Sequence, residues 1–399
     1  MTSLSLRQLF LQYVAQTSDA PLALEIKKAK GIYLYAPDGT QYTDLIAGIA
    51  VSTLGHCHPA VVKAVQKQAS RYMHLMVYGE YAYQPQVQLA QTLTQLLQDP
   101  FDNVYFVNSG AEAVEGALKL AKRYTQRSEL ISFQNSYHGS TQGALSMAGN
   151  ESIKQAYRPL LPDIRHLTYN DFGQLQLITP KTAAVLVEPI QAEAGVILPK
   201  EGFLQALRQR CNETQTLLIF DEIQTAFGRT GSLFAFQQYK EVKPDMILLA
   251  KGFGAGLPLG AFIAPKSIMH ALSHNPVLGH INTFGGNAVS CAASLAMIQT
   301  LLKEPKIVQQ VSDKEKLFKY LLQHPLIKEV RGKGLLLAVE LNGNFALLQK
   351  VVKACLMRGL IIDWFLFADN CLRIAPPLII SNRQIKAACS TLLEVLDEV

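Results

Sequence analysis

Residues 245–256 read Asp245-Met-Ile-Leu-Leu-Ala-Lys-Gly-Phe-Gly-Ala-Gly256. The apolar run from Met246 to Ala250 has the length of a buried strand. It is followed at once by Lys251 and a glycine-rich turn. In an open α/β sheet the carboxyl ends of the strands face the crevice that binds ligands, so such a strand delivers its lysine there. A lysine desolvated in that crevice exposes a neutral amine, which can form a Schiff base with a carbonyl. The glycines let backbone or ligand approach without a Cβ in the way. In isolation the same pattern also fits a surface lysine that ends a strand and reaches into solvent.

The segments upstream decide between these readings. Leu217-Leu-Ile-Phe220 ends in Asp221-Glu222, and Ala183-Ala-Val-Leu-Val187 ends in Glu188. Val104-Tyr-Phe-Val107 runs into Asn108-Ser-Gly-Ala-Glu112, followed by a helical pattern with Ala113, Val114, Ala117, Leu118 and Ala121 on one face. Four apolar strands thus each deliver polar groups at their carboxyl ends, as a parallel α/β sheet requires. Ser109 and Glu112 have capping-box spacing and can satisfy free helix amides. The same helix start can equally bind a phosphate through other amides and the helix dipole.

A carbonyl-capturing lysine, a buried acid and a phosphate cradle together specify pyridoxal phosphate. This cofactor needs a carboxylate to keep its pyridine nitrogen protonated, because the pyridinium is the electron sink. Asp221 is the candidate, since a buried aspartate needs a cationic partner to stay ionised.

With these residues in place, the chain resembles the class III pyridoxal-phosphate aminotransferases of the ornithine and acetylornithine type, from about Gly31 to Ile380. The resemblance rests on segments in the family's order: Gly55-His-Cys-His-Pro59, Asn108-Ser-Gly-Ala-Glu112, Tyr137-His-Gly139, Glu188-Pro-Ile-Gln191, Asp221-Glu-Ile-Gln224 and Phe227-Gly-Arg-Thr-Gly231. Lys251-Gly252, Pro258-Leu-Gly-Ala261, Thr283-Phe-Gly-Gly-Asn287 and Leu372-Arg-Ile-Ala-Pro-Pro377 follow. It implies a fold-type-I α/β architecture: a large domain with a mostly parallel sheet and helices on both faces, plus a smaller α+β domain.

The resemblance also implies roles. Lys251 would carry the Schiff base and shuttle the proton, and Asp221 would pair with the pyridinium. Gln224 would bond the phenolic oxygen with Glu188 close by. Ser109, Gly110 and Ala111 would hold the phosphate, joined by Thr283 from a partner subunit. Tyr137, in the segment shared with His138, would stack on one ring face and Ile223 would pack the other. Arg373 would clamp an α-carboxylate, for which a guanidinium fork is suited. Glu193 would act as a gate that neutralises Arg373 while an ω-amino substrate is bound.

One departure concerns substrate. Members of this type usually carry an arginine directly after the His-Gly of the ring-stacking segment, where it holds the distal carboxylate of glutamate. Here that position is Ser140. Arg158 and Arg165 are nearby in sequence. Asp363-Trp-Phe365 places the only tryptophan ahead of Arg373, for a pocket or for the core. Three chemistries remain in view: an ω-aminotransferase of acetylornithine/ornithine type working by a ping-pong mechanism, an ω-amine:pyruvate aminotransferase, and a decarboxylase or aminomutase on the same cofactor. A non-enzymatic nucleotide binder is disfavoured, because Gly252-x-Gly254-x-Gly256 lacks dinucleotide-loop spacing.

Composition agrees with these readings. At 399 residues, 49% of them apolar, the chain can build two domains around substantial cores. A formal charge of +6 without a basic run does not suggest nucleic acid. Six cysteines without Cys-x-x-Cys spacing point to free thiols and a cytoplasmic protein rather than disulfides or a metal. No apolar run approaches the length of a membrane span. The pattern divides the chain into an N-terminal arm with a hairpin (1–45), a large cofactor-binding domain (46–300) and a C-terminal small domain (301–399). The resemblance adds a homodimer with shared active sites.

Overall fold

The computed structural model describes residues 4–399; the first three residues of the expected N-terminal arm lie outside that range. Strands β1 (Lys28–Lys30), β2 (Tyr33–Tyr35) and β3 (Gln41–Asp44) form an antiparallel meander. The Pro37-Asp-Gly39 turn joins the last two, and Gly39 takes a φ of +93° that its missing side chain permits.

The central sheet contains β4 (Asn103–Val107), β5 (Glu129–Phe133), β6 (Ile164–Leu167), β7 (Thr182–Val187), β8 (Leu217–Asp221), β9 (Met246–Leu249) and β10 (Gly260–Ala264), in the order β4-β10-β9-β8-β7-β5-β6. All neighbours are parallel except β10, which runs antiparallel to both β4 and β9. Two reversals restore direction, so β4 points the same way as β9. Its carboxyl end therefore opens on the same edge.

Alternation along these strands divides the interior in two. Val185, Val187, Leu218, Phe220, Ile247 and Leu249 pack into one core, whereas Ala184, Leu186, Ile219, Met246 and Leu248 pack into another across the sheet. Helix Gly110–Thr125 covers the second face with Ala113, Val114, Ala117, Leu118 and Ala121. Full burial of each Val, Leu, Ile or Phe contributes about 1.5–3 kcal/mol, which makes a sheet covered on both faces the stable arrangement for such uninterrupted apolar runs.

The C-terminal part holds β11 (Ile327–Lys333), β12 (Leu336–Leu341), β13 (Leu360–Ile361), β14 (Asp363–Phe365) and β15 (Ala368–Ile374). An antiparallel sheet runs β11-β12-β15-β14, while β13 leaves it to pair in parallel with β3. The N-terminal hairpin and the C-terminal elements thus share one sheet, and Ile32 and Leu45 join the C-terminal core. Strand β12 begins only at Leu336, because Gly334 lies in the turn joining it to β11, at a φ of +61°. Strand β11, Ile-Lys-Glu-Val-Arg-Gly-Lys, escaped the apolar pattern because it is an edge strand with a largely polar sequence. The helix crossing residue 300 continues to Lys303. No helix among the described residues is long and apolar enough to cross a membrane.

Candidate active site

The carboxyl ends of β4, β5, β7, β8 and β9 converge on a cavity of about 540 Å³. Its lining includes Ser109, Gly110, Ala111, Tyr137, His138, Ser140, Glu188, Asp221, Ile223, Gln224 and Lys251. Eleven of the fourteen residues expected at the site are therefore brought together on one sheet edge; Thr283, Glu193 and Arg373 lie off its wall. Val51, Asn108, Ile190 and Leu257–Leu259 also line it. Asn108 and Pro258-Leu259 lie in segments that carried the resemblance, whereas Val51 and Leu257 were not singled out, since apolar residues in loops carry no periodic signal.

Lys251 lies one residue beyond the end of β9, after Ala250, and adopts a left-handed φ of +50° at the start of a short 3₁₀ turn. Burial lowers its amine to about 8, with Glu193 pulling in the other direction. A substantial neutral fraction therefore exists near physiological pH. Asp221 ends β8, is 4% exposed, and faces His138, whose Nδ1 lies 2.7 Å from Oδ2. Its Oδ1 accepts the Ile223 amide at 3.0 Å. The adjacent Glu222 turns the other way, accepting the amides of Ala235 at 2.9 Å and Phe236 at 2.7 Å. Strand alternation thus gives the cavity one of the two neighbouring acids and the scaffold the other.

The capping box at the start of Gly110–Thr125 forms only in half. Ser109 Oγ accepts the Glu112 amide at 3.2 Å, but the Glu112 carboxylate takes the Asn108 amide at 2.7 Å instead of closing on Ser109. The first-turn amides of Gly110 and Ala111 have no carbonyl four residues back within the helix, as at any helix start. A Cβ on Gly110 would lie 2.8 Å from Ile223 Cδ1, which ties this helix start closely to the residue after Asp221.

Glu188 accepts the amides of Tyr137 at 3.0 Å and Ala192 at 2.9 Å. Burial raises its carboxyl to about 7, against the pull of His138. Tyr137 hydroxyl lies 3.1 Å from Ser140 Oγ. Gln224 donates to Glu193 Oε1 at 2.9 Å, and its own carbonyl oxygen is buried without a partner. Through Gln224 the cavity connects to a buried ion pair. Arg373 Nη1 and Nη2 reach Glu193 Oε1 and Oε2 at 2.9 and 3.2 Å. Burial opposes the charge of Glu193, but Arg373, Lys251 and the hydrogen bonds from Gln224 and the Leu366 amide together outweigh it, and the carboxyl stays below its ordinary value.

Arg158 and Arg165 do not stand in for the arginine absent at Ser140. They bond Glu151 and Glu129 and are absent from the cavity lining. Thr283 is exposed, on a segment away from this cavity. Trp364 stacks edge-on against Phe345, while its carbonyl accepts from Arg373 Nη2 at 2.7 Å. Asp363, which sequence reading passed over in favour of its tryptophan neighbour, lies 3.1 Å from Arg373.

These residues fit pyridoxal phosphate. The unpartnered Gln224 oxygen and His138 Nε2 are buried polar atoms at the cavity, and free helix amides, a carboxylate and a low-basicity lysine supply complementary chemistry.

Comparison with known proteins agrees. Residues 13–396 match the profile of the family described as aminotransferase class-III. The acetylornithine aminotransferase of Clostridium acetobutylicum is 38% identical, the match covering 90% of this chain and 93% of the relative. That of Methanocaldococcus jannaschii is also 38% identical, over 95% of this chain and 94% of the relative. Among solved structures, an ornithine aminotransferase from Toxoplasma gondii with pyridoxal phosphate at partial occupancy in its active site superposes with a TM-score of 0.89. It is 32% identical, covering 98% of this chain and 94% of that one.

Proposed function

The chain belongs to the class-III aminotransferase family and is a pyridoxal-phosphate-dependent aminotransferase; on that premise we propose that it moves the ω-amino group of an acetylornithine- or ornithine-like amino acid to an α-keto acid, with Lys251 as the residue that captures the cofactor. One observation carries this reading: a lysine with its amine lowered to about 8 shares a single cavity with a buried aspartate and the free amides of a helix start.

When bound, pyridoxal phosphate supplies an aldehyde for amine capture and a cationic ring that draws electrons from the substrate. The protein's contributions are as follows. Lys251 presents a neutral amine and moves a proton to and from the substrate carbon. Asp221, fixed by His138 and the Ile223 amide, would hold a negative charge for the ring nitrogen, where charge stabilisation is worth most. Gly110, Ala111 and Ser109 would hold the phosphate at the positive end of the helix. Tyr137 and Ile223 would hold the ring of the bound cofactor, and Gln224 and Glu188 would offer polar groups to its phenolic oxygen.

Glu193 covers the Arg373 fork during the amine half-reaction and yields it to a keto-acid carboxylate in the second. The bidentate pair suits that exchange, because a carboxylate replaces a carboxylate.

We also propose a homodimer. Met73, Met76, Tyr81, Val277, Leu278, Ile281 and Phe284 are exposed large apolar side chains, and exposed apolar groups favour a protein partner when they form one patch. Thr283 belongs to this segment and would complete the partner's phosphate site. The division at residues 45 and 300 and a cytoplasmic location complete the proposal. N-acetylornithine, ornithine and 4-aminobutyrate, each tested against pyruvate and 2-oxoglutarate, test the substrate class; no transfer from any of the three overturns it.

A further inference from the structure

Arg373 is surrounded on more sides than a gate requires. Its fork faces Glu193, Nη2 also reaches the Trp364 carbonyl at 2.7 Å, and the guanidinium carbon lies 4.7 Å from the centre of the Phe365 ring. The remaining edge, Nε, faces Asp363 Oδ1 at 3.1 Å. Asp363 and Arg373 are directly opposed in the β14–β15 register, so the sheet itself fixes this contact.

The contact is an ion pair without being a hydrogen bond. Arg373 Nε and Asp363 Oδ1 are both buried, and neither has a hydrogen-bond partner. A donor and an acceptor left unbonded in the interior carry the cost of their desolvation. At 3.1 Å the separation already suits a hydrogen bond, and the direction of the N–H is what keeps it from forming. The two-point pair with Glu193 sets that direction, because it fixes the plane of the fork.

We propose that Asp363 is a positioning residue for Arg373: its carboxylate completes a bond to Nε when Glu193 departs, which offsets part of the cost of opening the arginine to a keto-acid carboxylate. This rests on the gate reading of Glu193 and Arg373 given above. A buried guanidinium losing its only carboxylate would be strongly disfavoured, and a second one on its far edge removes that penalty. Burial raises the Asp363 carboxyl to about 6, opposed by Arg373 and reinforced by Glu193 and Asp44, so it is ionised at neutral pH.

Single-turnover absorbance on the holoenzyme separates the halves of the reaction. N-acetylornithine, ornithine and 4-aminobutyrate serve as donors, and pyruvate and 2-oxoglutarate as acceptors. Asp363→Leu is expected to lower kcat/KM of the acceptor half about tenfold for both keto acids, the worth of one charged hydrogen bond. The donor half, run with Glu193 closed on Arg373, should move less than about twofold on the same scale. Asp363→Asn keeps an oxygen acceptor and should lose only about threefold in the acceptor half. If Asp363→Leu does not fold, the acceptor-to-donor ratio in Asp363→Asn decides alone. An unchanged acceptor half, or an equal loss in both halves, overturns the role of Asp363. A wild-type enzyme that reacts with none of the donors overturns instead the functional reading on which it rests.

Discussion

His138 Nδ1 lies 2.7 Å from Asp221 Oδ2, while the other Asp221 oxygen accepts the Ile223 amide at 3.0 Å. The carboxylate is thus fixed from both sides before any ligand arrives. A charge held in place in a water-poor site stabilises developing charge without reorganising. Asp221→Ala should therefore lower the chemical step by at least ~10²-fold, as does the loss of one preorganised partner. His138→Leu should cost less, because the Ile223 amide still holds one oxygen. Turnover unchanged in Asp221→Ala would mean that another acid serves the ring.

Lys251 gives a pH-dependent expectation. Its amine is lowered to about 8 by burial, so the neutral, nucleophilic form is lost as pH falls below that value. The rate of cofactor capture by apoprotein should rise roughly tenfold per pH unit below pH 8 and level off above it. Borohydride should fix the cofactor on a peptide containing Lys251. Lys251→Ala should bind cofactor without being fixed and show essentially no transamination. A capture rate flat from pH 6 to 9 is the result that contradicts this assignment.

Ser140 bears on the acceptor. With no guanidinium there, and with Arg158 and Arg165 bonded to Glu151 and Glu129, a distal carboxylate lacks a bidentate partner from these positions. Loss of charged hydrogen bonds is worth about 1.5–3 kcal/mol, roughly ten- to a hundred-fold in discrimination. Preference for 2-oxoglutarate over pyruvate should therefore be weak in the wild type and should grow by that factor in Ser140→Arg. Steady-state kinetics with both acceptors checks it; strong wild-type preference with no gain in the variant goes against it.

Glu222 should behave as scaffold. Its buried carboxylate bonds the amides of Ala235 and Phe236 and the Thr225 hydroxyl. Glu222→Ala leaves these donors buried and unpaired, a loss of roughly 2–4 kcal/mol of stability. Urea denaturation should show it, while the absorbance of bound cofactor stays that of the wild type. Loss of the cofactor signal in folded protein would give Glu222 a role at the site instead.

The sheet was legible because its strands are covered on both faces. Runs such as Leu217–Phe220 and Met246–Leu249 are apolar throughout, a demand that only a buried strand makes. Each run ends in a charged residue at the edge where the chain turns, so Asp221, Glu188 and Lys251 could be placed from order alone. Strand β11 was not legible, since an exposed edge asks only for polar side chains.

By itself, then, the sequence determined the strands, their polar carboxyl ends and the residue types that meet a phosphorylated aldehyde. Local periodicity and turn chemistry act over a few residues, and those features are written within a few residues. Tertiary structure decided which neighbours share a charge. It turned Asp221 to the cavity and Glu222 to the scaffold, set His138 on Asp221 across 83 residues, and brought Glu193 and Asp363 to two edges of Arg373. Such contacts follow from sheet order and cross-strand register, and no spacing in the chain encodes a hydrogen bond between segments that only folding brings together.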